Sequence, residues 1–241
     1  MPQEARPRIF AFYLPFLCLL VMCLIVALDA TVFAIAIPFM NSMERLSKLF
    51  GASISFLLAV VITQPVYTSI SNAMGRIMLL YSSFFFFTIS SIVFSVAQDT
   101  GILITGRVIQ GLGGGGLDVL NEIILADMTA LKERPSYLGY LSIPISVGTI
   151  LGLILGGLFS QYATWRWIGW INLPVSAIGL VLVVGFMKLK AINSSFREKI
   201  RRIDWAGMAL FAAGYTLFAS PIVWADRHYV SMVFIPNTTS L

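Results

Sequence analysis

Charge, histidine and cysteine are all scarce in this 241-residue chain. Asp, Glu, Lys and Arg make up 11% of it, beside one histidine and two cysteines. A soluble domain needs a charged surface, and so little charge beside 58% hydrophobic residues does not supply one. His228 is the single histidine and no nucleophile–base set appears, so neither an enzyme nor a cofactor or metal site is expected. Cys18 and Cys23 lie in one apolar run, five apart and so on different helix faces. They read as buried inert thiols in preference to a disulfide or metal pair. The net charge of +5 is small for nucleic-acid binding and falls mostly in short loops, where it reads as a topology signal.

What the chain does have is length of apolar run, with a mean hydropathy of +0.89. A hydrocarbon core about 30 Å thick needs about 20 apolar residues per helix. Seven spans are expected, at 10–38, 52–71, 77–98, 101–128, 137–160, 166–187 and 204–224. The first is far longer than a signal-peptide core and lacks a small-residue cleavage pattern. Placing residues 1–9 in the cytosol puts Arg6, Arg8, Arg76, Lys132, Arg134 and the basic loop 188–203 inside. That leaves Arg45, Lys48, Arg166 and Arg227 near the outer face, an asymmetry that orients the chain. The loop reads either as a plain inside-positive connector or as a contact for anionic lipid head groups. Of two sequons, Asn193 faces the cytosol and stays unmodified. Asn237, in the outward tail 225–241, is a candidate glycosylation site.

The fourth span carries charges where lipid forbids them. A charge at mid-membrane costs about 2.5–3.5 kcal/mol on insertion scales, so such residues are kept mainly along polar pathways. Steps of three and four from Arg107 reach Gly111, Gly114, Asp118 and Glu122, with Gln110 and Asn121 alongside. At 100° per residue they occupy roughly 120° of arc, a single stripe able to line a substrate cavity. Asp29, in the outer part of the first span, is the natural partner of Arg107. Two readings stand for that pair: a structural tie between helices 1 and 4, or a proton-responsive pair in which protonating Asp29 frees Arg107. Asp118 and Glu122 are four apart, and two carboxylates in a poorly solvated site do not both ionise readily. They are either a proton carrier or a pair whose Glu122 is simply hydrated. Asp127 reads as a helix-end residue. Gly148, Gly152 and Gly156, with Gly157 adjacent, make a small-residue face for close helix packing on the fifth span.

Several stretches converge on a family. Leu28-Asp-Ala-Thr-Val-Phe-Ala-Ile-Ala-Ile-Pro38, Gly106-Arg-Val-Ile-Gln-Gly-Leu-Gly-Gly-Gly-Gly116 and Ala126-Asp-Met-Thr-Ala-Leu-Lys-Glu-Arg134 come first. Gly148-Thr-Ile-Leu-Gly-Leu-Ile-Leu-Gly-Gly157 and Trp165-Arg-Trp-Ile-Gly-Trp-Ile-Asn-Leu-Pro174 follow. In that order they resemble the helix-1 motif, the helix-4 motif, the cytosolic exit of helix 4, and the helix-5 and helix-6 motifs of the major facilitator superfamily, in its fourteen-helix drug:proton antiporter branch. The resemblance implies an all-α membrane fold: a six-helix N-terminal bundle over 10–187, built as two inverted three-helix repeats, with a seventh helix at 204–224. It implies Asp29 and Arg107 as the coupling pair, and the helix-5 glycines as a packing seam. It implies Gly75, Arg76 and Asn72 as a gating loop. The chain departs from the family with Thr68 for Gly, Asn72 for Asp and Ile77 for a basic residue in that loop, and with Leu153 for the helix-5 Pro.

The function this implies is proton-coupled export of amphipathic small molecules such as drugs, toxins or secondary metabolites. The chain would be embedded in the plasma membrane or a vacuolar or other endomembrane, with lipid, protons and substrate as partners. The family has a second half. Two accounts meet the missing length: a truncated, transport-inactive half-transporter, or two copies assembling into a mimic of the whole. A seven-helix receptor or retinal protein is a third class, against which the seventh span has no Lys for a Schiff base.

Overall fold

A computed structural model describes residues 6–36, 43–164, 166–187 and 204–234. All the secondary structure among them is helical: α1 (Arg6–Ala36), α2 (Met43–Met74), α3 (Arg76–Ser95), α4 (Thr100–Met128), α5 (Arg134–Tyr162), α6 (Arg166–Phe186) and α7 (Trp205–Phe234). Five of them, α1, α2, α3, α5 and α6, are long and apolar enough to cross a membrane. α4 has the length, 29 residues or about 43 Å, but carries Arg107, Asp118, Glu122 and Asp127.

Helix ends follow local chemistry more than the edges of the apolar runs. The expected 41–51 connection is helical from Met43, because Met, Glu, Arg, Leu and Lys are good helix formers whatever their polarity. α7 likewise continues to Phe234, past the expected end near 224. Gly75 makes the tight α2–α3 turn at φ 95°, a backbone region that side chains strain to enter. Asp99 caps α4, its carboxylate accepting from the Gly101 N–H. Pro135 stands in the first turn of α5, where its missing N–H costs no hydrogen bond.

The chain divides into two compact units, Met1–Ile203 and Asp204–Leu241. In the first, α1 packs most extensively on α5, and α2 and α3 on α4, while α6 closes against α1 and α3. The three-helix repeats α1–α3 and α4–α6 thus exchange partners. Glycines permit this: Gly148, Gly152 and Gly156 each bring α5 so close to α1 that an added Cβ would meet it at 2.7–3.0 Å. Gly157 is not part of that seam, since nothing among the described residues lies within 4 Å of its Cβ direction. The outer faces are apolar, with Phe85, Ile92, Ile150, Ile154, Val181 and Val184 all exposed. So much outward apolar surface is untenable in water and ordinary against acyl chains. α7 forms the second unit, with an apolar stretch over Trp205–Ala219.

Candidate functional site

The bundle core is two apolar layers with a polar layer between them. Leu19, Met22 and Ile25 of α1 join Phe84 and Phe87 of α3, Leu117 and Leu120 of α4 and Val183 of α6 in one cluster. Leu28, Val32 and Phe33 join Phe94, Leu103 and Ile168 in the other. Four helices meet at this junction with a polar step, α1 with Asp29, α3 with Ser91, α4 with Arg107 and Gln110, and α6 with Asn172. All five are buried, at 0–1% exposure.

Asp29 organises the layer. Its Oδ2 accepts from Arg107 Nη1 at 3.0 Å. Its Oδ1 accepts from Gln110 Nε2 at 3.0 Å and, at close range, from Asn172 Nδ2. Gln110 Nε2 also donates to Ser91 Oγ at 3.2 Å, so one carboxylate ties α1, α3, α4 and α6 together. Arg107 lies among rings, its Cζ 3.7 Å from the centroid of Phe33 and 4.7 Å from that of Phe94, with Phe56 farther at 5.6 Å. Burying two charges costs several kcal/mol per ion, and only good geometry with extra hydrogen bonds offsets it. Here the ion pair, two amide donors and a desolvated cation–π contact of about 2 kcal/mol supply that compensation. Among the described residues three polar atoms of the layer lack a hydrogen-bond partner: Arg107 Nε, Arg107 Nη2 and Gln110 Oε1.

The remaining stripe of α4 divides by neighbour. Asp118 is half-buried and accepts from Gln64 Nε2 of α2 at 3.0 Å, while Glu122 is exposed. Asn121 is buried and its Nδ2 donates to Cys23 Sγ of α1. Gly114 faces the Phe56 ring at ordinary contact distance. Gly111 is a packing position in this conformation, a Cβ there meeting Ala59 Cβ and Phe56 O at 2.6 Å. At the far end of α4, Arg76 Nε lies 2.7 Å from Asp127 Oδ2, an ion pair whose N–H is not aligned as a hydrogen bond. Beside it Arg134 Nη2 donates to Ala126 O at 2.8 Å. Asn72 is exposed near that turn. Asn237 and the 188–203 loop lie outside the described residues. An apolar groove of about 380 Å³ runs between α1 and α5, lined by Phe16, Leu20, Leu24, Tyr140, Ile143 and Pro144 among others.

Sequence reasoning did not assign Asn172, Ser91 or Gln64 to these contacts, and it took Asp127 for a plain helix end. Asn172 and Gln64 carried a usable signal: each is an amide inside an apolar span, where such a group needs a partner on another helix. Ser91 and Phe94 carried none, since serines and phenylalanines occur throughout α3.

A family model described as Major Facilitator Superfamily matches residues 17–238. The chain is 46% identical over 227 residues to the MFS-type transporter sphD of Aspergillus fumigatus, covering 92% of this chain and 39% of that protein. It is 40% identical to the MFS transporter L2 of Phoma sp., covering 90% and 37%. It is 35% identical to the MFS-type efflux pump MMF1 of Pseudozyma antarctica, covering 88% and 40%. The chain thus spans about two fifths of the length of these relatives. Its fold is that of the inward-open xylose transporter XylE from E. coli (TM-score 0.61, 18% identity, 95% of this chain and 57% of that one). It is likewise that of a peptide transporter POT bound to sulfate (TM-score 0.65, 14% identity, 94% and 47%).

Proposed function

The chain belongs to the Major Facilitator Superfamily, and from that premise we propose that it forms the proton-coupling bundle of an exporter of amphipathic small molecules. The observation that carries the reading is the buried Asp29–Arg107 pair at the junction of four helices. A carboxylate held by three donors at the bundle centre ties the packing of α1, α4 and α6 to one proton. Protonation removes the attraction that holds Arg107, and an equilibrium between two packings shifts by that difference. Relatives named efflux pumps support the outward direction. The basic loops support a cytosolic amino terminus. Asp118, half-buried beside Gln64, is a second acid on the same route, and the Arg76–Asp127 pair with Gly75 is a latch at the end of α4. Because the chain spans about two fifths of its relatives, the pathway is completed by further helices or a second copy.

The test is Asp29→Asn and Arg107→Ala in a transporter containing this bundle, assayed by efflux of a fluorescent amphipathic dye under an imposed pH gradient. Both variants abolish gradient-driven export at normal surface expression. Export that still follows the gradient removes the pair from the mechanism. The 241-residue chain reconstituted alone in liposomes decides whether it moves dye without further helices.

A further inference from the structure

Among the described residues, every side chain hydrogen-bonded to Asp29 donates. Arg107 Nη1 reaches Oδ2, and the amide nitrogens of Gln110 and Asn172 reach Oδ1. That arrangement suits an ionised carboxylate and, among the described residues, presents no acceptor to a protonated one, whose new O–H must itself donate. Arg107 is a donor only, so an amide has to turn. Gln110 is the residue free to do so, because its Oε1 is buried and has no hydrogen-bond partner among the described residues.

We propose that Gln110 reads the protonation of Asp29 by turning over its side-chain amide, which presents Oε1 to the new O–H. This rests on the proton-coupling reading and names the residue that transmits it. A proton from water bonds to Asp29 Oδ1, the carboxylate loses its charge, and Arg107 keeps an uncompensated one. Gln110 then accepts through Oε1 and gives up its donation to Oδ1. Its bond to Ser91 reverses: Ser91 Oγ, which donates to Phe87 O at 2.8 Å in the ionised state, turns its hydroxyl hydrogen onto Oε1. The proton is thereby registered on α3 as well as on α1 and α4. The carboxyl O–H is worth accepting, since a buried polar group without a partner costs about 1–3 kcal/mol. Of the groups around Asp29, α4 supplies Arg107 as the charge acting on it. α3 and α6 supply the uncharged Ser91 and Asn172, α2 contributes the Phe56 ring near Arg107, and α5, packed along α1, supplies no charge acting on Asp29 among the described residues. Gln110 is a positioning residue here and takes no proton itself.

The test is infrared difference spectroscopy of the purified chain in lipid nanodiscs, titrated from neutral to acidic pH with carbon-13-labelled glutamine. A carboxylic C=O band absent from Asp29→Asn reports the proton on Asp29. The proposal expects an isotope-sensitive glutamine amide change with the same midpoint, lost in both Gln110→Met and Asp29→Asn. In Gln110→Met the carboxyl band also moves to higher frequency, its O–H lacking an acceptor. An Asp29 band that titrates with no glutamine change, unmoved in Gln110→Met, overturns the switch and leaves proton coupling standing. The absence of any band that depends on Asp29 overturns both. Should Gln110→Met fail to fold, Asp29→Asn decides alone: a glutamine change that survives it refutes the proposal.

Discussion

Gly152 and Gly157 share α5 and its apolar surroundings, yet an alanine at one costs what an alanine at the other does not. A Cβ at 152 lies 2.7 Å from Thr31 Cβ and 3.2 Å from both Leu28 O and Val32 N. None of those atoms is the end of a flexible side chain, so none can swing aside. Carbon atoms in contact settle at about 3.5–4.0 Å, so α1 and α5 must part by about 1 Å along their most extensive interface. Overpacking of that kind costs about 1–3 kcal/mol. A Cβ at 157 meets nothing among the described residues within 4 Å. Alanine there gains only the backbone advantage over glycine, about 0.5–1 kcal/mol. That gain is common to both sites and cancels, so Gly152→Ala falls below Gly157→Ala by the overpacking cost alone, about 1–3 kcal/mol. Reversible SDS unfolding of the purified chain in micelles, followed by circular dichroism, measures the difference. Equal stability of the two variants would refute the claim that the α1–α5 seam is as tight as described.

Three further outcomes follow from the same geometry. Replacing either member of the buried pair alone, by Asp29→Leu or Arg107→Met, costs about 3–5 kcal/mol by leaving a lone buried charge, whereas the double replacement costs less than either; the same unfolding assay reads the coupling. Arg76→Ala costs at most about 1 kcal/mol because both partners are 30–40% exposed, and the loss shrinks with added salt, while Gly75→Ala costs about 1–3 kcal/mol through its φ of 95° and ψ of 151°, a region that essentially only glycine enters, and ignores salt. Cys18 and Cys23 are free and buried, so a maleimide labels neither in the folded chain and both in SDS, read by mass spectrometry.

Much of the candidate site is legible in the amino-acid order. Asp29 and Arg107 stand out because a charge inside an apolar run has few tolerable fates, and opposite charges at matching depth point to each other. Asn172 was quoted as part of a motif and given no role, since an amide in a span declares that it needs a partner without saying which helix supplies it. The glycines show the same limit. Gly148, Gly152, Gly156 and Gly157 look alike in the chain, and only the approach of Thr31 and Val32 separates three packing positions from one open one. Gly111 reads as a cavity residue by its place on the stripe, and the backbone of α2 occupies that side instead.

The amino-acid order by itself decided that this chain crosses a membrane repeatedly, that α4 is its unusual helix, and which motifs align it with its family. Those are properties of single segments, set by hydrophobic length and by the cost of isolated charge in lipid. Tertiary structure alone decided that four helices deliver their polar side chains to one layer between two apolar ones, and that, among the described residues, every side chain hydrogen-bonded to Asp29 arrives as a donor. Helix periodicity specifies the face a residue occupies; which neighbour meets that face, and which way an amide turns within it, is settled only when the bundle closes.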